Sequence, residues 1–397
     1  MTQNLLAAEL DRLLSEDVDA CVERERTAFD RLVAPFSKSI VLFGCGNLGR
    51  EALACLTRDN IAPLAFTDNN PSLWGTTING VSVISPEEAA KRFGQNAAFV
   101  VTVRSHEGKH RFAETKRKLS NLQCKRVISF VPLLWKYAEA LLPNYYLDLP
   151  HKILEHKQDV RAAFDLWADD LSRTTYLTQL KWRMLDIYDE LPLRTFQRQY
   201  FPSELFTLLR DEVFTDCGAF DGDTIKDFLS NCRNNFKKII SIEPDPLNVK
   251  RLEEYVHALP VEVSQNIRLV RAAIGKMESI VKFSRTGTAA SSISELGDYD
   301  VEVLTLDDIL DGIQPTYIKM DVEGAEEDAL MGGRTTIARH SPMLSVCVYH
   351  LYDHLWKIPL LIEKISMGNS FFLRAHQDEG WELVCYAISK KRLTTVQ

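Results

Sequence analysis

Acidic residues and glycines lie close together in the stretch VFTDCGAFDGDT, residues 213–224, which begins with an apolar run. The residues there that could carry chemistry are Asp216, Gly218, Asp221 and Gly222. A second apolar run, KKIISIEPDP at 237–246, reaches an acid at Glu243. This order is typical of strand, glycine turn, helix, strand and acid, in which glycine lets the backbone approach a ligand and the acid accepts hydrogen bonds from both ribose hydroxyls. The stretch therefore predicts a site for an adenosine-containing ligand.

The charges around this turn indicate which adenosine compound it binds. The glycine spacing differs from G-x-G-x-x-G, and the acids Asp216, Asp221 and Asp223 would repel a diphosphate. S-adenosylmethionine carries a sulfonium and an ammonium group instead, so we predict that it is the cofactor, with Pro244 beside Glu243 at its site. The alternative is an ordinary strand–helix–strand crossover with a tight turn and a solvated acid.

A second glycine turn lies in SIVLFGCGNLGREALACL, residues 39–56. Its glycines, at the spacing G-x-G-x-x-G between a buried-type strand and a helix, are Gly44, Gly46 and Gly49. The next strand pattern, PLAFTDNN at 63–70, contains Asp68. This context predicts a small Rossmann-like domain at 35–135 that binds a second nucleotide, with Asp68 on its ribose. The alternative is a Rossmann scaffold used only for packing or oligomerisation.

The remaining segments are helical or belong to a second α/β domain. Residues 1–34 place apolar side chains at helical spacing and predict an amphipathic helix, and 136–211 predict a helical linker or cap. Residues 212–397 alternate strand and helix patterns, with 267–275 expected to form one strand, and they end in two strands separated by HQDEGWE at 376–382. The short separation indicates a hairpin, so the predicted fold is α/β with two Rossmann-like domains and an antiparallel last strand in the second.

Polar or small residues stand at the ends of several predicted strands of the second domain. They are Asp216, Glu243, Ala272, Ala273, Asp321, Tyr349 and His350. In an open parallel sheet a ligand binds beyond the carboxyl ends of the strands, so we expect these residues to converge around the cofactor. If the methyl group is transferred to a hydroxyl, a base must accept the hydroxyl proton, and the candidates are Asp321, Glu323 and His350.

Each of these candidates also has a structural alternative. Asp321 can cap the helix that follows it, whose first turn favours the acids Glu323 and Glu326. An acidic trio can hold a hard cation, although we predict no metal site, and His350 can be a structural histidine. Lys319, which alternates with Asp321 along the strand, is expected to pair with an acid near the cofactor.

Composition argues against several classes of protein. The net charge of −8 and the pI of about 5.7 argue against nucleic-acid binding through phosphates. Eight cysteines without a C-x-x-C pair indicate neither a disulfide framework nor a zinc knuckle. The acidic N-terminus lacks the pattern of a signal peptide, and no apolar run approaches the ~20 residues that span a bilayer. We therefore expect a cytoplasmic protein without a membrane span, and a homo-oligomer is compatible with the sequence.

The second domain resembles the FkbM-type family of S-adenosylmethionine-dependent methyltransferases. The matching pieces are VFTDCGAFDGDT, IEPDP, RAAIG, LTLDDIL, YIKMDVEGAEEDALMGG and PMLSVCVYH. The family's K-D-E-G-E core corresponds to Lys319, Asp321, Glu323, Gly324 and Glu326. The resemblance implies a class I methyltransferase sheet of seven strands with an antiparallel last strand, and it implies a cofactor surrounded by Asp216, Gly218 and Glu243. It also implies a small-molecule or glycan acceptor with a hydroxyl group, on a saccharide, a glycan precursor or a secondary metabolite.

Two features of the resemblance leave hypotheses open. Many members carry a glutamate soon after the P-M-L strand, where this chain has CVYH, so the identity of the base is open. Residues 39–130 resemble a Rossmann-like extension that precedes the catalytic domain in some bacterial relatives. The other hypotheses are an NAD-linked or nucleotide-sugar enzyme that uses this N-terminal glycine turn, and a non-catalytic scaffold of paired Rossmann domains that recruits partners.

Overall fold

A computed structural model describes residues 3–104, 110–192, 198–284, 292–293 and 299–394 of the chain. These residues group into two units. Unit 1 comprises Met1–Lys157, Thr174–Arg194 and Gln377–Trp381, and unit 2 comprises Gln158–Arg173, Thr195–His376 and Glu382–Gln397. Each unit is built on a sheet in which parallel pairs dominate, so the prediction of a mixed α/β fold is confirmed.

Unit 1 contains a six-stranded sheet. Its strands are β1 Ile40–Phe43, β2 Ala65–Thr67, β3 Thr77–Ile78, β4 Val81–Ile84, β5 Ala98–Val101 and β6 Arg126–Ser129. Their order across the sheet is β3-β4-β2-β1-β5-β6, and each pair of neighbours is parallel except β3 with β4. The central strands β1 and β5 have the sequences IVLF and AFVV and are buried along their whole length, as strands covered on both faces must be.

Helices accompany this sheet in unit 1. They are α1 Gln3–Leu13, α2 Val18–Val33, α3 Asn47–Arg58, α4 Pro86–Phe93, α5 Phe112–Asn121, α6 Val131–Lys136, α7 Ala138–Leu141 and α8 Pro150–Glu155. The first 34 residues thus hold two helices where the sequence pattern predicts one. The reason is local, because the Asp17 side chain accepts a hydrogen bond from the Ala20 N–H and starts a new helix.

The strands of unit 2 follow in chain order. They are β7 Val213–Cys217, β8 Lys238–Ile242, β9 Ile267–Val270, β10 Ala273–Ile274, β11 Ser279–Ser284, β12 Ser292–Ile293, β13 Tyr299–Leu304, β14 Tyr317–Met320, β15 Met343–Cys347, β16 Asn369–Ala375 and β17 Leu383–Ser389. Seven of them form one sheet in the order β16-β17-β15-β14-β7-β8-β9. In this sheet β17 is antiparallel to both of its neighbours, and the other pairs are parallel.

The other strands of unit 2 form a four-stranded sheet in the order β10-β13-β11-β12. This sheet corrects the expectation that 267–275 is a single strand. The chain leaves the large sheet after β9 and pairs again as β10 with β13, where Ala273, Val301 and Val303 form a small core. The apolar pattern continues through the whole segment, so it carries no signal for the change of sheet.

The helices of unit 2 complete the fold. The chain enters the unit through α9 Lys157–Leu166, and α10 Asp170–Leu185 begins in unit 2 but belongs to unit 1 from Thr174 onward. The later helices of unit 2 are α11 Asp223–Cys232, α12 Pro246–His257, α13 Val261–Ser264, α14 Leu306–Ile309, α15 Glu326–Gly332, α16 Arg334–His340 and α17 His354–Ile365. Throughout the described part of the chain, each helix is too short or too polar to cross a membrane.

Aromatic packing fixes the elements on both sides of the 213–224 turn. Phe214 on β7 stacks on Phe228 of α11 with ring centroids 4.6 Å apart, and it also contacts Tyr317 of β14 at 5.1 Å. Such pairs contribute roughly 0.5–1.5 kcal/mol each beyond the area that they bury. The turn between β7 and α11 is therefore held against β14, whose carboxyl end carries the predicted chemistry.

Candidate functional site

A buried ion pair lies at the centre of the seven-stranded sheet of unit 2. Asp216 on β7 and Lys319 on β14 are in register, and the lysine Nζ lies 3.0 Å from Asp216 Oδ1. Nζ also donates a hydrogen bond to the Gly218 carbonyl oxygen at 2.6 Å and lies 5.1 Å from the centre of the Tyr200 ring. The predicted pairing of Lys319 with an acid is present, and it ties β14 to the glycine turn.

The burial of this pair changes the pKa values of both side chains. Its side chain is 0% exposed, and burial raises the pKa of Asp216 to about 6 against the opposing charge of Lys319. Burial alone would lower the pKa of Lys319, but the Asp216 carboxylate raises it above its ordinary value. The sequence analysis placed Asp216 among the cofactor-binding residues, which stays a prediction; the structure shows that Asp216 holds the glycine turn through Lys319 from inside the sheet.

The glycines of this turn are required by internal packing. Gly218 has φ +83°, and a Cβ there would lie 1.8 Å from the carbonyl oxygen of Asp321. Gly222 has φ +94°, and a Cβ there would lie 2.8 Å from the Tyr255 ring. A side chain at either position would displace its neighbours, so these glycines bring the turn close to β14 and to α12.

Glu243 lies beside the glycine turn, at the end of β8. Its carboxylate accepts hydrogen bonds from the Phe220 N–H, through Oε2, and from the Asp245 N–H, through Oε1, both at 2.9 Å. Asn248 Nδ2 donates a third, at 3.3 Å. Burial raises the pKa of Glu243 to about 7, against these hydrogen bonds, which favour the ionised form. A carboxylate has about four acceptor positions, so one remains for a ribose hydroxyl.

His350 is the centre of a cluster of carboxylates beyond β14 and β15. Its Nδ1 lies 2.8 Å from Glu326 Oε1, and its Nε2 lies 3.3 Å from Asp321 Oδ1 and 3.7 Å from Glu323 Oε1. Burial would lower the pKa of His350, but the surrounding carboxylates, Glu326 first, raise it to about 10. His350 is therefore an imidazolium at neutral pH, with a proton on each ring nitrogen.

Glu326 is the buried counter-ion of this imidazolium. Its Oε1 also accepts a hydrogen bond from the Val322 N–H at 2.9 Å, and its Oε2 lies 3.2 Å from His354 Nδ1. Burial would raise the pKa of Glu326, but the charge and hydrogen bond of His350 and of His354 hold it well below its ordinary value. Glu326 thus stays ionised and orients His350.

Glu323 differs from the other acids of the cluster. Its side chain is 23% exposed, and its backbone has φ +53°, a left-handed conformation that is strained for a residue with a side chain. In the described ranges its carboxylate makes no hydrogen bond, and its nearest cation is His350. Burial raises the pKa of Glu323 to about 8, and the charge of His350 opposes that rise. This carboxyl group is reachable and titrates close to neutral pH.

Asp321 is fixed by two neighbours. The Tyr200 hydroxyl donates a hydrogen bond to Asp321 Oδ2 at 2.8 Å, and His350 approaches Oδ1. From the sequence, Tyr200 was expected only as an aromatic that could contribute to a substrate site; the hydrogen bond itself joins residues 121 positions apart and leaves no sign in the sequence.

Glu382 is a member of the cluster that the sequence analysis missed. It accepts a hydrogen bond from the Tyr349 hydroxyl at 3.2 Å and another from Gln199. Burial, and then the charge of Asp321, raise the pKa of Glu382 to about 7. The residue lies in the segment 376–382, where we expected only a hairpin turn. The available signal was an acid within the apolar stretch WELV.

Two groups of side chains could ligate a cation within the described residues. They are Asp321 with Cys347 and Glu382, and Asp321 with Glu326 and His350, each with ligand atoms within 4.8 Å of one another. In the second group Glu326 and His350 already form a hydrogen-bonded ion pair. In the first, burial and the charge of Asp321 raise the pKa of the Cys347 thiol well above its ordinary value.

The other predicted cofactor residues differ in their surroundings. Asp221 and Pro244 are partly exposed, and a cavity of about 380 Å³ opens beside Pro244. Ala272 is fully buried at the point where the chain leaves the large sheet, and Ala273 packs in the small core of the four-stranded sheet. The side chain of Ala273 is therefore committed to packing.

The second predicted glycine turn lies in unit 1, between β1 and α3. Gly44, Gly46 and Asp68 line a cavity of about 790 Å³ there, and Gly49 lies in the first turn of α3. The Asp68 carboxylate accepts a hydrogen bond from the Cys45 N–H at 2.9 Å. The structure thus brings the glycine turn and the acid of the N-terminal motif together.

Comparison with known families bears on unit 2. Residues 216–372 match the model of the methyltransferase FkbM domain. The matched span contains the buried ion pair, Glu243 and His350 with its carboxylates, so the predicted resemblance is confirmed. A search of curated proteins found no match to the chain.

Solved structures give a comparison of the fold. Methyltransferase FkbM from Methylobacillus flagellatus KT aligns with a TM-score of 0.71 and 22% sequence identity, over 97% of this chain and 98% of that chain. Precorrin-6y C5,15-methyltransferase from Geobacter metallireducens GS-15 aligns over 46% of this chain and 82% of that chain, with 16% identity and a TM-score of 0.29. The first likeness extends over both units and concerns the fold alone. The second is too distant to carry an argument.

Replacement of Lys319 by methionine should destabilise the protein strongly. It leaves the buried Asp216 carboxylate without its counter-ion, which costs about 3–5 kcal/mol in the free energy of unfolding. Because the pKa of Asp216 in the folded variant lies above its unfolded value, the folded protein binds more protons, and the deficit grows as the pH rises from 5 to 8. Chemical denaturation at these pH values measures it.

The matched control is Lys282→Met, which removes an exposed ion pair with Asp300 at 2.8 Å. We expect a loss below about 1 kcal/mol, without the pH trend, because exposed pairs are screened by water. Equal losses in the two variants would contradict a structural role for the buried pair.

Proposed function

We propose that this chain, whose residues 216–372 form a methyltransferase FkbM domain, transfers the methyl group of S-adenosylmethionine to a hydroxyl group. The domain match supports methyl transfer, and the order β16-β17-β15-β14-β7-β8-β9 supports the sheet that the sequence resemblance implied. The observation that carries the hydroxyl acceptor is the partly exposed carboxyl of Glu323 beside the His350 imidazolium. Transfer to a hydroxyl needs a group of this kind, because the oxygen must lose its proton.

The cofactor would lie over the carboxyl ends of β7 and β8. Glu243 offers its remaining acceptor position to a ribose hydroxyl, and the partly exposed Asp221 offers a carboxylate to the ammonium or sulfonium group. Asp216, which is wholly buried, acts on the cofactor only through Lys319 and the Gly218 carbonyl. The acids around this turn suit a cationic ligand and disfavour a diphosphate.

We assign the role of base to Glu323 among the three residues predicted. The His350 side chain is 2% exposed, and Asp321 and Glu323 cover its Nε2, so an acceptor cannot reach it. Asp321 is held by Tyr200 and His350. Glu323 is as exposed as Asp321 and titrates near the pH at which an enzyme works.

The reaction is an in-line displacement at the methyl carbon. The acceptor oxygen forms a bond to that carbon as the carbon–sulfur bond breaks, its electron pair goes to sulfur, and S-adenosylhomocysteine leaves. The hydroxyl proton goes to the ionised Glu323 carboxylate, and the His350 imidazolium stabilises that ionised form. We propose a small-molecule or glycan acceptor, with a hydroxyl on a saccharide, a glycan precursor or a secondary metabolite.

S-adenosylhomocysteine should bind unit 2 and raise the melting temperature of the full chain. Saturation at about 100 times the dissociation constant adds about 2.7 kcal/mol to the free energy of unfolding. Glu243→Ala should abolish the increase, because the ribose loses its carboxylate. Differential scanning fluorimetry of both proteins measures the effect.

Glu253→Ala is the matched control, since Glu253 is a nearby acid on α12 that pairs with Arg271. It should keep the full increase in melting temperature. If millimolar S-adenosylhomocysteine does not stabilise the wild-type chain, the cofactor assignment is wrong.

The pH dependence of methyl transfer should identify the base. We expect kcat/KM to rise as Glu323 loses its proton near pH 8 and to fall as His350 loses its proton near pH 10. Glu323→Gln should lower the rate by about 10²–10⁴-fold and remove the rise near pH 8. Radiolabelled methyl transfer to a library of saccharides and hydroxylated metabolites provides the assay.

Glu327→Gln, on the exposed side of α15, is the control and should keep both limbs of the profile. A rise near pH 8 that persists in the Glu323 variant would assign the base to another residue. A methylated product would also distinguish the enzyme from a scaffold that only recruits partners.

A further inference from the structure

Unit 1 contains a cavity at the point where its strand order reverses. The cavity has a volume of about 790 Å³, within the ~300–1,000 Å³ that small-molecule sites have. Residues that follow β1, β2 and β5 line it, including Gly46, Asp68 and Arg104. Strands β2 and β4 lie on one side of β1, and β5 and β6 lie on the other. In open parallel sheets, ligands bind at this place, beyond the carboxyl ends of the central strands.

Glycine occupies the three positions of the unit 1 turn for different physical reasons. Gly44 has φ +116°, and a Cβ there would lie 2.6 Å from the Val103 side chain. A Cβ on Gly49 would lie 2.1 Å from the Gly44 carbonyl oxygen, so α3 packs directly on the turn. These two glycines are required by conformation and by packing.

Gly46 has neither requirement. Its φ of −72° and ψ of −168° are open to any residue, and apart from Gly46 and its two chain neighbours no described atom lies within 4 Å of the place where a Cβ would be. The missing side chain leaves the backbone open to the cavity. In this respect Gly46 differs from Gly218 and Gly222, whose missing side chains are explained by neighbouring protein atoms. Glycine is also favoured at a helix N-cap, and a ligand that touches the backbone gives a second physical reason for glycine at this position.

Asp68 is oriented toward the same turn. Its Oδ2 accepts a hydrogen bond from the Cys45 N–H and its Oδ1 accepts one from the Asn70 N–H, each at 2.9 Å. The Cys45 thiol also hydrogen-bonds to this carboxylate. A carboxylate has about four acceptor positions, so one remains for a ribose hydroxyl. The Cys45 thiol is no competing nucleophile, because burial and the Asp68 charge raise its pKa to about 12.

Other residues of the cavity suit an anion. Helix α3 begins at Asn47 without a side-chain cap and without an acid in its first turn, so its first N–H groups remain available. Arg104 follows β5, its guanidinium lies 4.9 Å from the Tyr145 ring, and its Nη1 is buried without a hydrogen-bond partner among the described residues. An acid for the ribose and a cation with a helix start for phosphate are thus present together.

We propose that unit 1 binds a ribonucleoside 5′-diphosphate group, with the ribose on Asp68 and the diphosphate between Gly46, the start of α3 and Arg104. NAD and nucleotide sugars both contain this group. The site is separate from the methyltransferase domain, and we assign binding to it without a chemical step. Asp68 faces the ribose hydroxyls, so a 2′-phosphate there would be repelled.

Isothermal titration calorimetry of the full chain tests the proposal with ADP, UDP, NAD⁺, UDP-glucose and NADP⁺. We expect either ADP and NAD⁺ or UDP and UDP-glucose to bind. The pair that binds shows whether the diphosphate comes from a dinucleotide or from a nucleotide sugar. NADP⁺ should bind at least about tenfold more weakly than NAD⁺, because its phosphate meets Asp68. The proposal is wrong if none of the first four binds at millimolar concentration, or if NAD⁺ binds and NADP⁺ binds as tightly.

Variants locate the site. Gly46→Ala adds one methyl group in an unstrained conformation and should remove binding while the melting temperature stays unchanged. Asp68→Asn should weaken binding about tenfold or more, because a charged hydrogen-bond acceptor is lost. Asp19→Asn, an exposed acid of the same unit, is the control and should bind as the wild type does. Binding that survives both site variants would overturn the proposal.

A further measurement separates this site from the proposed methyltransferase site. Glu243→Ala should keep nucleotide binding and lose S-adenosylhomocysteine binding, and Asp68→Asn should do the reverse. If Asp68→Asn removes both ligands, the two sites are not independent and the proposal fails. If the wild-type chain binds the nucleotide but not S-adenosylhomocysteine, this inference holds and the proposed function fails.

Discussion

The ion pair between Asp216 and Lys319 is the constraint on which the site of unit 2 depends. Two charges inside a sheet are expensive to bury, and the Coulombic attraction at 3.0 Å offsets that cost only when the remaining hydrogen-bonding capacity is used. Lys319 uses its own by donating to the Gly218 carbonyl. The same contact brings the turn so close to β14 that only glycine fits beside the Asp321 carbonyl. The position of the glycine turn and the position of Asp321 are therefore fixed by one interaction.

The two glycine turns of the chain use the same residue type for different physical reasons. In unit 2, Gly218 and Gly222 make room for neighbouring protein atoms, and the acids around them suit a cationic ligand. In unit 1, Gly44 and Gly49 have that packing role, while Gly46 leaves backbone open beside a cation and a helix start. A motif of glycines and acids therefore indicates a turn reliably, and the surroundings of each glycine indicate whether a ligand is involved.

Sequence reasoning predicted the parts of the candidate site that follow the ends of strands. Glu243, Asp321 and His350 follow predicted strands, and parallel strands place such residues at one edge of the sheet. It did not find Glu382 or the hydrogen bond from Tyr200 to Asp321, because these depend on contacts between distant segments. It expected Lys319 to pair with an acid, but the strand pattern alone did not show that the acid is Asp216 on the neighbouring strand. The four-stranded sheet was missed because the apolar pattern continues across the break.

The carboxylates around His350 differ in role because they differ in burial. Glu326, fully buried and hydrogen-bonded to the imidazole, stays ionised and keeps His350 positively charged. That charge lies 3.7 Å from Glu323, where it opposes the effect of burial and holds the pKa of Glu323 near 8 rather than higher. A base must be ionised often enough to accept a proton and must be basic enough to hold it, and a pKa close to the working pH satisfies both demands. The ion pair of His350 and Glu326 thus sets the proton affinity of Glu323. Neither the strand pattern nor the helix caps distinguish Glu323 from its acidic neighbours.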